Sequence, residues 1–410
     1  MTLIAPFRAL RPAPGRAAEV LAPPYDVLSS AEARERAKGK PFSFLHVSKA
    51  EIDLPPAIDP YDKAVYAKAA ANLKGITEAG ALTRDAEPSL YVYRLTRQGQ
   101  VQTGLAAVAS LADYATNRIR KHEHTTPSKE DDRVRQIEAV NAQTGPVMLA
   151  YPTAPHIDAL LAAAAKGRPD FDVTADDGVR HELWRIADAG QVASIVNAVN
   201  ALPALYIADG HHRSAAAARV AQQRGGDGAH RWFLSVLFPQ GQMTILDYNR
   251  VLRDLNGRTP EALLTELRRS YKVEPSETAV KPVAAPELGM YVAGRWYRLT
   301  LNADLVAKAA QSGDPIAVLP ITLLTRNIIE PLFGIAEQRT DKRIDFVGGG
   351  RGLGELERRV KSGDMAVAFA LYPTQMPDLM AVADAGKIMP PKSTWFEPKL
   401  ADGVVSHVLD

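Results

Sequence analysis

The apolar run Ala204-Leu-Tyr-Ile-Ala208 breaks at Asp209-Gly210 and gives way within a few residues to an alanine-rich stretch, Ser214 to Gln223. A short buried strand that passes through a glycine turn directly into a helix belongs to an α/β arrangement, and it restricts the fold more than any other feature of the chain. The surrounding sequence alternates in the same way. Tyr66, Ala69, Leu73 and Ile76 recur at helical spacing within Asp62 to Glu78. Ser89 to Leu95 and Gln102 to Leu111, joined by Thr96-Arg-Gln-Gly99, read as a hairpin, and Phe42 to Val47 has the aromatic and β-branched content of a strand. Helices are expected at Glu130 to Asn141, Ile157 to Ala165 and Val192 to Val199, and a strand at Val147 to Tyr151. The first thirty residues, ending in Ala22-Pro-Pro-Tyr-Asp-Val27, read as a rigid proline-rich loop.

A chain of 410 residues exceeds one ordinary core. Arg224-Gly-Gly-Asp-Gly228 reads as a flexible junction. We therefore expect an N-terminal α/β domain over 1–228 and a C-terminal α+β domain over 229–410. In the latter the pattern gives strands at Trp232 to Phe238 and Thr244 to Asn249, a hairpin at Met290 to Leu301, a helix at Ile321 to Leu332 and a loop at Asp341 to Gly354. Alternating elements with several hairpins argue for α+β (mixed α/β) rather than one doubly wound sheet.

Composition narrows the function classes. With no cysteine, disulfides, Cys-ligated zinc, iron–sulfur clusters and thiol nucleophiles are excluded. Forty-nine basic residues against 47 acidic ones argue against a nucleic-acid-coating protein. No apolar run is long enough to span a bilayer and the N-terminus lacks a signal-peptide pattern, so the expected compartment is the cytoplasm. The P-loop pattern, the G-x-S-x-G elbow, H-E-x-x-H and a strand-bound G-x-G-x-x-G are all absent.

Three constellations carry chemistry. In Asp209-Gly-His-His-Arg213, a helix N-terminus offers free N–H groups and the positive end of its dipole, which favour an anion. Gly210 lets the backbone approach a ligand, and Arg213 adds a planar fork for phosphate or carboxylate. Asp209 is a candidate cap or metal ligand, and His211 and His212 are candidates for phosphate, metal or proton. The bland alternative is a cap with two surface histidines, but four polar residues around one glycine exceed what a cap needs. In Lys121-His-Glu-His-Thr125, an extended backbone would put His122 and His124 on one face and Glu123 on the other, whereas a turn would mix them. Glu123 suits a general base towards a hydroxyl, and the His-x-His pair suits a divalent metal shared with Asp209 or His211; a solvated polar loop is the alternative. Glu130, in the first turn of the next helix, is a capping acid or a second candidate base. The third constellation is the glycine-rich, basic segment Asp341 to Gly352 together with Lys392-Ser393-Thr394, which could cradle phosphates or simply form turns.

Ala22-Pro-Pro-Tyr-Asp-Val27, Lys121-His-Glu-His-Thr125, Ala208-Asp-Gly-His-His-Arg213, Arg339-Thr-Asp-Lys-Arg-Ile-Asp345 and Met389-Pro-Pro-Lys-Ser-Thr394 together resemble, in order, the bacterial and archaeal family known as domain of unknown function 1015. More distantly, Asp-Gly-His-His-Arg at a strand-to-helix turn is similar to the nucleotide-handling motif of the ParB/sulfiredoxin-like fold, which includes free L-serine kinases. That resemblance implies a ParB/sulfiredoxin-like core with Asp209, His211, His212 and Arg213 at phosphate and metal; Gly210, Lys121, Lys392, Ser393 and Thr394 are further candidate phosphate-binding residues from the sequence itself. It implies Glu123 as the first candidate for the base, with Glu130 second; His122 and His124 are further candidates as substrate contacts or alternative bases, and the expected cofactors are Mg2+ and ATP or ADP. The expected activity is a serine kinase. A metal-dependent phosphoester or nucleotide hydrolase, with His122, His124, Asp209 and His211 as ligands, and a non-catalytic nucleotide-binding regulator are the competing readings. The expected partners are a small molecule and a nucleotide, with a second copy of the chain a further candidate.

Overall fold

The structure, a computed structural model, describes residues 2–410 and is a mixed α/β fold of two compact units. One comprises 1–243 with 398–410, the other 244–397.

The first unit is built on a mixed nine-stranded sheet: β1 (Ile4–Ala5), β2 (Leu90–Arg97), β3 (Gln100–Ser110), β4 (Ile119–Arg120), β5 (Val147–Tyr151), β6 (Phe171–Thr174), β7 (Arg180–Ile186), β8 (Leu205–Asp209) and β9 (Trp232–Pro239). The order across the sheet is β4-β8-β5-β9-β3-β2-β7-β6, with β1 beside the end of β3. β4 runs parallel to β8 and β5 parallel to β9, while the other neighbours are antiparallel. The β2–β3 turn is the two residues Gln98 and Gly99, both at positive φ (49° and 82°). That twist matches the twist of the strands it joins. Leu149, Leu205, Ile207, Phe233 and Leu237 bury one continuous core with Ile195 and Val199 of the helix Ala189–Asn200.

Two helices bracket the polar motifs. α1 (Pro127–Val140) begins with proline, whose missing N–H costs nothing there, and closes on Asn141 in the left-handed region. α2 (His211–Arg224) follows β8 through Gly210. Val134 and Ile137 of α1 pack on Ala216 and Val220 of α2, with Leu409 completing the cluster. Such apolar burial, worth about 25 cal/mol per Å², locks the starts of both helices near β8. The C-terminal strand Ser406–Val408 lies between Ala9–Pro12 and Ala142–Gln143 in a small antiparallel sheet, which returns the last residues of the chain to this unit.

The second unit carries a six-stranded antiparallel sheet in the order Tyr271–Ser276, Arg295–Leu301, Glu287–Val292, Val367–Leu371, Tyr248–Leu252, Ile344–Gly348. Leu356 of the helix Leu353–Lys361 packs on its core.

Two local expectations fail. Phe42 to Val47 forms no strand: Leu45–Ser48 is a helical turn, and Phe44, Leu45 and Val47 are buried in a cluster with the helix Lys63–Glu78. Its apolar content serves packing on every side, which periodicity alone cannot separate from strand content. Conversely, the glycine-rich loop expected from Asp341 contains the strand Ile344–Gly348, paired along its length with Tyr248–Leu252. No helix among the described residues is long and apolar enough to cross a membrane.

Candidate functional site

β8 ends at Asp209, and Gly210 takes φ 101°, ψ 27°, a left-handed conformation open to glycine and costly to others. A Cβ at Gly210 would also stand 3.0 Å from Nε of Arg213. The Arg213 side chain folds back under the turn. It donates from Nη2 to Oδ2 of Asp209 at 2.9 Å and from Nη1 to the Pro146 carbonyl that precedes β5. Its side chain is only 11% exposed. Burial works against the guanidinium charge, but Asp209, Asp26 and Asp402 outweigh it and hold Arg213 above its ordinary pKa. Lys399 Nζ stands 3.7 Å from the same Asp209 oxygen. The strand-to-helix turn is thus a carboxylate bracketed by two cations beside the positive end of a helix. Two of the Arg213 nitrogens are thus bound within the protein, one to Asp209 and one to the Pro146 carbonyl.

The segment 121–126 crosses the start of α2 with a bend at Glu123. The bend separates the two histidines: His122 is buried and His124 is exposed, while Glu123 turns to the same side as His122. The rings of His122 and His211 meet edge to face with centroids 4.5 Å apart. His122 N donates to Nε2 of His211 at 3.4 Å, and Nδ1 of His211 faces Oε2 of Glu123 at 3.6 Å. An Nε2 that accepts leaves the proton on Nδ1, directed at Glu123. Burial pushes His122 down to about 4, and burial, reinforced by His122, holds His211 well below the ordinary histidine value, so both rings are neutral at pH 7. Ligand atoms of His122, Glu123 and His211 lie within 4.8 Å of one another. Glu123 keeps a 41% exposed side chain and is the group of this trio open to a substrate.

The remaining expected residues divide clearly. His212 Nε2 accepts from Thr126 N at 3.1 Å, tying the start of α2 to the start of α1. Glu130 accepts the Thr125 hydroxyl and pairs with Arg219 at 3.4 Å, which places it within the α1–α2 packing. Lys121 Nζ sits 4.2 Å over the Tyr114 ring. Lys392, Ser393 and Thr394 belong to the second unit. There the Ser393 hydroxyl donates to Pro390 O at 2.6 Å, and the buried Arg250 donates to the Pro391 and Lys392 carbonyls.

Sequence reading missed Asp402 and Lys399. Both come from the last thirteen residues, and Asp402 is a lone acid inside an apolar run with no motif around it. Only the return of the C-terminal strand to the first unit brings them to the turn.

No curated protein sequence matches the chain. Among solved structures it is similar to a free serine kinase in complex with AMP, at 10% identity and a TM-score of 0.33 over 71% of this chain and 86% of that one. It is also similar to SbnI with a C-terminal truncation from Staphylococcus aureus, at 13% identity and 0.35 over 73% and 86%. A conserved hypothetical protein from Pyrococcus furiosus gives 12% and 0.32 over 70% and 90%. Residues 4–322, most of the chain, match the family described as "Protein of unknown function (DUF1015)", and the protein belongs to that family.

Proposed function

We propose that the protein is a small-molecule kinase that transfers the terminal phosphoryl group of ATP or ADP to the hydroxyl of free L-serine. The observation that carries this reading is the half-exposed carboxylate of Glu123 held beside neutral His211 in the first turn of α2. A base and an anion-attracting helix end then face the same space. Phosphoryl transfer asks a protein mainly for positioning and charge neutralisation. The N–H groups at the start of α2 receive the donor phosphates, with Lys399 and Lys121 adding positive charge. Glu123 takes the proton of the serine hydroxyl as its oxygen attacks the terminal phosphorus. The bond from phosphorus to the nucleotide oxygen breaks, and that oxygen leaves as part of AMP or ADP. Asp209 is the hard oxygen donor of the turn and fits Mg2+, an ion that takes one or two carboxylates together with substrate phosphates and would neutralise charge on the transferred group.

A second reading rests on one specific observation, the grouping of His122, Glu123 and His211. Two imidazoles and a carboxylate suit zinc-like ions better than Mg2+, and a metal-dependent phosphoester or nucleotide hydrolase would use them. The trio differs from the set expected from sequence, because His124 is exposed on the far side of the bend. Metal analysis after chelation and dialysis separates the readings. Stoichiometric retained metal, with nucleotide loss independent of serine, selects the hydrolase. A metal-free protein that consumes nucleotide only when Mg2+ and serine are supplied selects the kinase.

A further inference from the structure

Behind the Asp209 turn lies a cavity of about 30 Å³ whose lining includes Tyr25, Arg133, Gln136, Gly145, Arg213 and Asp402. That is room for about two waters and too little for a substrate. Asp402 is 1% exposed. Its Oδ2 accepts from Tyr25 N at 3.2 Å, while Oδ1 has no hydrogen-bond partner among the described residues. A buried carboxylate oxygen left in this way is costly unless something nearby balances its charge. The balancing group is Arg213. A Cβ at Gly145 would stand 3.5 Å from Oδ1 of Asp402, 3.4 Å from Cδ of Arg213 and 3.7 Å from its Nη1. Gly145 therefore clears one small space that the carboxylate and the guanidinium both enter. Arg213 lies between two acids, with Asp209 at the mouth of the site and Asp402 behind it.

We infer that Asp402 is a positioning residue that shares Arg213 with Asp209, so that its charge sets how firmly Arg213 holds the Asp209-Gly210 turn. The role rests on the reading of that turn as the phosphate-binding element. With Asp402 neutral, the guanidinium belongs to Asp209 and the turn is held as described. With Asp402 ionised, Arg213 is drawn towards the cavity and its hold on Asp209 weakens. The groups facing Asp402 are Arg213 from α2, Arg133 from α1 (stacked 4.0 Å over the Tyr25 ring), Tyr25 and Asp26 from the N-terminal loop, and Ser48. Burial, with Asp26, raises the carboxyl to about 7, against the pull of Arg213 and the bond from Tyr25, so both states are populated near neutral pH.

The test uses full-length protein and follows the Gly210 and Gly145 amide resonances from pH 5.5 to 8.5, in wild type, Asp402→Asn and His212→Gln. The expected result is a titration of both amides near pH 7 in wild type, retained in His212→Gln and lost in Asp402→Asn. Flat resonances in wild type, or a titration that disappears with His212, would overturn the proposal, and both readouts stand even where Asp402→Asn does not fold. In parallel, the nucleotide KM of wild type should rise about threefold or more from pH 6 to 8 with kcat little changed, and that of Asp402→Asn should stay level. Equal pH profiles for the two proteins, with only a lower Tm for the variant, would make Asp402 merely structural and sink the idea. An absence of turnover in every protein would remove the kinase reading, while the amide titrations would still decide the coupling.

Discussion

Nη2 of Arg213 lies 2.9 Å from Oδ2 of Asp209, closing an i,i+4 bridge across Gly210. The bridge ties the strand end to the first helical turn across the glycine. A side chain at Gly210 attacks it twice, through the left-handed backbone and through contact with Arg213. Gly210→Ala should lower stability by about 1–2 kcal/mol and weaken nucleotide binding by more than that loss explains. Denaturant titration and calorimetric titration with ADP, run on the same samples, check both.

Glu123 and Glu130 are seven residues apart and should behave in opposite ways. Glu123→Gln keeps the shape and removes the base. It should lower kcat by about 10²- to 10⁴-fold with an unchanged melting temperature. Glu130→Gln loses the charge facing Arg219 and weakens its bond from Thr125. It should cost about 1 kcal/mol of stability and leave kcat within a few-fold. Steady-state kinetics with thermal melts on the pair would expose an inverted assignment at once.

The buried histidines fix the acid limit of the fold. His122, His181 and His407 are pushed by burial to about 4, and His211 lies well below its ordinary value. Each is neutral when folded and takes up a proton on unfolding as soon as the pH falls below about 6.5. Their contribution is complete above that pH and lost as the pH drops towards 4, at about 1.4 kcal/mol per group per pH unit. Asp402 acts oppositely. Its raised pKa gives stability that is present below the ordinary carboxylate range and gone above about 7. Unfolding curves from pH 4 to 8 should show a steep net loss on the acid side, shallower in wild type than in Asp402→Asn.

The strand and helix around the turn were legible because their signals are local: an apolar run, a glycine, then an alanine-rich stretch whose 14-residue helix begins at His211. The pairing of Glu123 with His211 was not legible, because it depends on a bend that turns Glu123 towards His122 instead of alternating with it. Asp402 and Lys399 lay beyond reach for a different reason: about 190 residues separate them from Asp209, and the return of the C-terminal strand leaves no local trace. Arg213 was readable as a residue and not as a contact. Its fork suits phosphate in any sequence, yet here two of its nitrogens bind Pro146 and Asp209.

The His122–His211 contact supplies a further check. His122 is buried edge to face against His211, so its imidazole acts as a packing wall for His211 or as a metal ligand. His122→Phe conserves the wall and removes the nitrogens. The kinase reading expects near-native stability and at most a few-fold loss of kcat, whereas the metal reading expects activity to vanish. Activity assays with and without added Zn2+ distinguish them.

The most direct measurement incubates purified protein with Mg2+, ATP or ADP and a pool of free amino acids, then searches for phosphorylated products by mass spectrometry. The account predicts phosphoserine, formed in step with AMP or ADP and absent with Glu123→Gln. Nucleotide loss without a phosphorylated acceptor, or no reaction under any metal condition, would contradict it.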